Sequence, residues 1–336
     1  MKMKKSILSL ISAMLFTSNI LFAQQSHQFY LTADEVPNAV YWLPEPPQPG
    51  STQFLYDISQ YYWGKQQRLD SLRAQKAINE AVTDMSDMSS QFSEAFGMEI
   101  SECKTPAIFK VLERAVLTIR LSATKPKATY ARKRPYVFFN ESTLIPDEDD
   151  ELRTTGSYPS GHTVRGWGMA LLLCEINPAA QDALFKLGYE WGQSRVIAGF
   201  HWQSDVDASR MLAAACYARL HTCQAFLDDM AAAKKEFEKL LEADIKKALD
   251  PKTLAELIKA ALAGENAADY QAEISKAQEG IKGELAAELK DGLEIKITPD
   301  INSGFRLSAK DGSGYFDCSD EAIAEMLAPY FTEIEF

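Results

Sequence analysis

GSYPSGHTVRGWG, residues 156–168, decides how this chain reads. A Pro-Ser-Gly-His run set among small residues breaks directly into a Trp-, Met- and Leu-rich segment. That transition predicts a helix beginning at Ser160 and running to about residue 175. A serine at such a start caps the helix, and a glycine after it eases the turn. The same two residues serve a second purpose equally well. A helix start offers unpaired backbone N–H groups and the positive end of the helix dipole, and a glycine lets that backbone approach an oxyanion closely. His162 has no part in capping, so the flanking sequence has to decide between the two readings.

Upstream stands KATYARKRP, in which six residues separate Lys127 from Arg134-Pro135. Downstream stands SRVIAGFHWQSD, with five residues between Arg195 and His201 and three between His201 and Asp205. Singly, these pieces describe a solvated basic face and a structural histidine. Together they collect three cations, a carboxylate and two of only four histidines in 336 residues. The chemistry that needs this set is phosphoryl transfer, because its transition state spreads negative charge over three equatorial oxygens. Lys127, Arg134 and Arg195 supply fixed positive donors, the guanidinium groups in planar pairs. Ser160 and Gly161 complete the cradle.

Two imidazoles then divide the work. On a helix, residues four apart share a face, so the Asp205 carboxylate can hold His201 in one tautomer and stabilise the cation formed on attack. This nominates His201 as nucleophile and leaves His162, at the cradle, as general acid towards the departing alcohol. An imidazole with an ordinary pKa near 6.5 donates best below neutrality, so an acidic optimum is expected.

Lys-x6-Arg-Pro, Pro-Ser-Gly-His and Ser-Arg-x5-His-x3-Asp, in this order, resemble the signature of the type 2 phosphatidic-acid-phosphatase superfamily. PEPPQPGS, SYPSGHT, EINP, GQSRVIAGFHWQSDVDA and the LHT segment at 220–222 are similar to the bacterial class A non-specific acid phosphatases, over roughly residues 40–240. The resemblance implies an all-α helical bundle of the phosphatase/haloperoxidase type, often assembled into homo-oligomers and working without a metal or other cofactor. It implies that Lys127, Arg134, Ser160, Gly161 and Arg195 bind phosphate, that His201 carries a phosphohistidine oriented by Asp205, and that His162 protonates the leaving group. The acidic run 147–151 departs from the pattern and is read as a solvated loop.

Elsewhere, YWLPEPPQPGS (41–51) predicts an extended entry segment. Helix formers dominate from 52 to about 81, a Ser/Asp/Met-rich break follows at 83–91, and helical spacing returns at 106–124. Further helices are expected at 179–199 and, as one long element, from about 203 to 247. After about residue 240 the composition shifts: 234–290 is rich in Ala, Lys, Glu and Leu and reads as helical, with a helix start at Asp250-Pro251, and 292–317 alternates apolar and polar residues around Gly and Asp turns in the manner of short strands. A closing helix is expected at about 319–330. The domains therefore read as a leader at 1–23, a catalytic domain at 24–240 and a small α+β domain at 241–336. The last of these resembles the C-terminal part of the E component of V-type ATPase peripheral stalks and carries no recognisable chemistry.

The net charge of −12 argues against a nucleic-acid partner. Residues 1–23 carry Lys2, Lys4 and Lys5 ahead of an apolar run ending at Ala23, the pattern of an export signal whose removal takes the charge to about −15. A periplasmic or secreted protein, free of the membrane once the signal is removed, is the expectation. Cys216 and Cys223, placed on one predicted helix, would lie roughly 10 Å apart, too far for a bridge. Most of the five cysteines are read as buried small hydrophobes.

The expected activity is hydrolysis of small-molecule phosphate monoesters, with transfer of the phosphoryl group to other hydroxyls as a side reaction. Two alternatives stand beside it: a vanadate-dependent haloperoxidase, and a phosphate-binding or assembly protein with a vestigial site.

Overall fold

Residues 28–248, 251–263, 266–289 and 293–327 are described by a computed structural model. The expected leader lies outside the described residues, as does the end of the closing helix. The chain divides between Lys234 and Lys235 into two compact units.

The first unit is helical throughout its described residues. Its elements are α1 (Thr52–Gln67), α2 (Ser71–Asn79), α3 (Met85–Phe96), α4 (Pro106–Leu121), α5 (Thr124–Tyr130), α6 (Pro135–Phe139), α7 (Asp149–Leu152), α8 (Gly161–Ile176), α9 (Gln181–Ala198) and α10 (Gln203–Leu220), followed by α11 (Gln224–Ala248). The all-α reading of the bundle holds. Capping residues set the starts. Ser51, Asp70 and Asp84 each accept backbone N–H bonds at the heads of α1, α2 and α3. Asp84 explains why the expected break at 83–91 is instead the beginning of α3. The single helix expected over 52–81 is two, because Asp70 caps a new one. The long helix expected over 203–247 is also two: α10 stops at Leu220 and Cys223 lies in the turn before α11. Cys216 and Cys223 therefore do not share a helix, and all five cysteines are free thiols. Cys103 is exposed.

The buried helix α8 forms the axis of the bundle, packed against α4, α9 and α10. Leu172 and Leu173 of α8, Leu112 and Val116 of α4 and Trp191 of α9 are fully buried in this core. Glycines make the α8–α9 approach close. A Cβ on Gly166 would stand 2.4 Å from the Trp191 ring, and one on Gly188 would stand 2.7 Å from Ala170 Cβ. No helix among the described residues is long and apolar enough to cross a membrane.

The second unit contains α12 (Pro251–Ala261), β1 (Tyr270–Ser275), α13 (Lys282–Leu289), β2 (Glu294–Thr298), β3 (Gly304–Ala309), β4 (Tyr315–Ser319) and α14 (Asp320–Leu327). Its sheet has the order β2-β1-β3-β4, with β1 and β2 parallel and the other pairs antiparallel. The central strand β1 lies in the stretch read as helical. Its neighbours come from the 292–317 segment, so its pairing is non-local and invisible to a sequence window. Leu254, Ile258, Ile274, Phe305 and Leu307 build a core of its own.

Gly166→Ala should destabilise the protein by about 1–3 kcal/mol, since the added methyl meets a fully buried indole. A lower urea midpoint at unchanged slope is the expected result.

Candidate active site

The three sequence motifs converge because short backbone and side-chain bonds stitch their segments together. Ser160 caps α8, its Oγ accepting from Thr163 N at 3.2 Å. Its own N–H donates to the Asp205 carbonyl at 3.2 Å, and its carbonyl accepts from Ser209 Oγ at 2.9 Å. The loop before it is tied to the basic segment through Ser157 N and the Arg132 carbonyl, 2.8 Å. Tyr158 donates to the Pro44 carbonyl, which fixes the Pro-rich entry segment against the same loop.

Arg195 and His201 are brought together by the way α9 ends. Gly199 takes a left-handed φ of 91°, and the N–H groups of Phe200 and His201 fold back on the Arg195 carbonyl at 3.1 and 3.3 Å. The five intervening residues are thus one helical turn and its glycine stop. His201 then precedes α10 rather than lying on it. Asp205 reaches the ring as a capping residue, not across a shared helical face: its Oδ2 accepts from Trp202 N at 2.9 Å and faces His201 Nδ1 at 3.4 Å.

The opposite ring nitrogen, Nε2, lies 3.2 Å from Arg134 Nη1. A guanidinium can only donate, so Nε2 holds the lone pair and Nδ1 carries the proton towards Asp205. Arg134 also donates to the carbonyls of Phe200, Leu152 and Thr155 and to Thr155 Oγ1. Lys127 Nζ donates to the Gly156 carbonyl at 2.7 Å. Arg195 has Glu148 at 3.6 Å and the Phe200 ring under its guanidinium, yet its Nε and Nη1 are buried without a partner. His162 lies stacked on Trp191, ring centroids 5.4 Å apart and planes 8° apart, with Nε2 buried and unpartnered.

The electrostatics follow from this crowding. Burial holds His201 well below the ordinary imidazole value, and Arg134, Lys127 and Arg195 push it further. Burial, then Arg195 and Arg165, do the same to His162. Burial also depresses Lys127, with Arg134 and Arg120 adding to it and Asp205 opposing. These are the signs of a water-poor, positively charged site.

All eight residues singled out by the sequence therefore stand in one cluster. Others escaped the sequence reading. Arg132 bridges two fully buried carboxylates, Asp205 Oδ1 and Asp57 Oδ2, each at 2.6 Å, and Asp57 accepts from Ser204 N and Oγ. Its position inside the basic stretch was the available signal. Asp57 in α1 gave none. Ser194, the first residue of the Ser-Arg motif, links Arg73 to the buried Glu80. The acidic run is not simply solvated: Asp149 is buried and accepts from Ser142 and Thr143, and Glu148 faces Arg195.

Residues 111–228, which hold this whole cluster apart from Asp57, Arg73 and Glu80, match the PAP2 superfamily. A non-specific acid phosphatase of Providencia stuartii is 39% identical over 246 residues, 70% of this chain and 99% of that protein. The chain belongs to the PAP2 superfamily. Within it, this chain stands with the bacterial acid phosphatases. The Salmonella typhimurium protein named non-specific acid phosphatase is 38% identical over 210 residues, 62% of this chain and 84% of its own length. A match of another kind, 33% over 108 residues, is to the V-type ATP synthase E chain of Treponema denticola, of which this protein covers 52%.

Arg132→Met should cost this PAP2 protein about 3–5 kcal/mol, because it strands two buried carboxylates. Chemical denaturation measures the loss. A companion Lys65→Met change, at a half-exposed pair with Glu141, should cost no more than about 1 kcal/mol.

Proposed function

We propose that the chain is an exported acid phosphatase that hydrolyses phosphate monoesters through a covalent phosphohistidine on His201, without a metal. The observation that carries this reading is the neutral His201 ring. Its proton is turned to Asp205 and its lone pair to the cationic cluster. The names of the relatives and the PAP2 match support phosphatase chemistry. Export rests on the lysine-then-apolar leader in the sequence.

In this mechanism the phosphoryl group takes the place of the Arg134–His201 contact. Arg134, Arg195, Lys127, Ser160 Oγ and the Gly161 N–H bind its oxygens, and the unpartnered Nε and Nη1 of Arg195 find acceptors. His201 Nε2 attacks phosphorus in line. The P–N bond forms as the ester P–O bond breaks, and His162 passes its proton to the departing oxygen. The bound dianion raises the depressed His162 pKa, which keeps that proton available. Water then attacks phosphorus, losing a proton to His162, and the P–N electrons return to His201. An alcohol in place of water gives phosphoryl transfer.

His201→Ala should keep the fold and lose roughly four orders of magnitude or more in kcat. Acid-quenched wild type should yield a phosphorylated histidine that the variant lacks. Wild-type turnover without any trapped phosphohistidine would overturn the assignment.

The pH dependence has a definite sign. His162 must be protonated to donate, and its value is depressed in the free enzyme but restored by the bound phosphate. Activity should fall as pH rises, with the alkaline limb of kcat/KM at lower pH than that of kcat. Coincident limbs would contradict this.

A further inference from the structure

Two arginines stand beside the cradle without a part in the chemistry above. Arg120 projects from α4 against the first turn of α8; its Nε and Cζ lie 2.6 and 2.9 Å from where a Cβ on Gly161 would be. Arg165 follows Gly161 by four residues on α8 and so stands over the same turn. Among the described residues neither guanidinium makes a hydrogen bond or an ion pair, and Arg120 Nε is buried without any acceptor. The cations already assigned to the scissile phosphate differ: Arg134 is held by five oxygens and Arg195 has Glu148. Burial lowers Arg120, and burial with Arg120 as neighbour lowers Arg165 to about 10; no carboxylate acts on either.

Their place relative to the reaction is fixed from two sides. Arg120 lies against Gly161, a cradle residue, and Arg165 follows His162 by three residues on α8, so it shares a helix face with the group proposed to meet the departing oxygen. The pair therefore flanks the cradle on its leaving-group side. Two guanidinium groups, one with a buried and unpartnered Nε, offer planar donors that fit a tetrahedral oxyanion better than a neutral alcohol.

We infer that Arg120 and Arg165 form a second anion subsite, which holds a phosphate carried by the leaving group and so selects substrates with two phosphates over simple monoesters. This rests on the acid-phosphatase reading and names its substrate class. The second phosphate has two sources. In a phosphoanhydride it is itself the leaving group: the His201 N–P bond forms, the bridging P–O bond breaks with its electrons going to the departing phosphate, and water later splits P–N. That route needs little protonation by His162, which suits a histidine facing Arg165. In a bisphosphorylated alcohol the second phosphate sits further along the leaving group, and His162 still supplies the proton.

The test compares kcat/KM for inorganic pyrophosphate, 1,3-propanediol bisphosphate, propyl phosphate and p-nitrophenyl phosphate in the full-length protein and in Arg165→Gln and Arg120→Gln. Each variant should lose roughly tenfold or more on at least one doubly phosphorylated substrate, the size expected for a charged hydrogen-bonded contact. Turnover of p-nitrophenyl phosphate, whose leaving group needs no acid, should stay within about threefold. Loss confined to pyrophosphate assigns the anhydride; loss on the diol bisphosphate assigns the longer substrate. Equal losses on all four substrates, or none, would overturn the subsite. Should Arg120→Gln fail to fold, the less buried Arg165 carries the test alone. Failure of the wild type to hydrolyse p-nitrophenyl phosphate would instead remove the phosphatase reading itself.

Discussion

One buried carboxylate, Asp205, holds the first unit's chemistry in register. Its Oδ1 takes Arg132 from the basic segment, and its Oδ2 takes the Trp202 N–H and faces His201. Its carbonyl takes the Ser160 N–H from the Pro-Ser-Gly-His loop. Three stretches separated by tens of residues thus meet on one fully buried residue. A carboxylate stripped of water must have every lone pair occupied, so the geometry around it is over-determined. His201 inherits that rigidity without belonging to a regular element.

The second constraint is a surplus of buried positive charge. Arg134 and Arg195 are almost wholly buried, with Lys127 among them, and few carboxylates stand near. Carbonyl oxygens from Leu152, Thr155, Gly156 and Phe200 stand in as partial counter-charges. Dipoles of this kind hold a cation in place but do not neutralise it, so a dianion gains strongly on entering. Burial, with the same field behind it, holds both imidazoles well below their ordinary pKa. On the mechanism proposed above, the nucleophile would then be ready before substrate arrives, whereas the general acid would become competent only with the phosphate bound.

The site was more legible in the sequence than the fold around it. Lys127, Arg134, Ser160, Gly161, His162, Arg195, His201 and Asp205 could be found because their spacings encode tight local devices: a helix cap, a glycine stop and a first-turn acid. Asp57, Trp191 and Glu80 could not, since each reaches the site across helices with no local pattern to mark it. The helix-forming composition was read correctly for the bundle, but its interruptions were missed. Asp70 and Asp84 cap new helices inside runs whose average propensity looked continuous or broken in the wrong place. In the second unit the central strand was taken for helix, since its strand character comes from partners on both sides rather than from its own residues.

Glycine at position 161 ties these threads together. A Cβ there would stand 2.6 Å from Arg120 Nε, so that side chain could keep its place against the helix start only while the position is glycine. The Ser-Gly pair at the head of α8 thus does more than cap a helix or admit one oxyanion. It leaves room for a cation beyond the cradle, and Arg165, one helical turn on, doubles it. Cradle and neighbouring pair share one helix end but differ in how they are held: Arg134 and Lys127 are braced by carbonyls and Arg195 faces Glu148, whereas neither guanidinium of the pair has a hydrogen bond or ion pair among the described residues. A positive group that folding leaves unbraced beside a reactive centre is stabilised by what binds there, and the charge of the bound molecule is then part of what the fold selects.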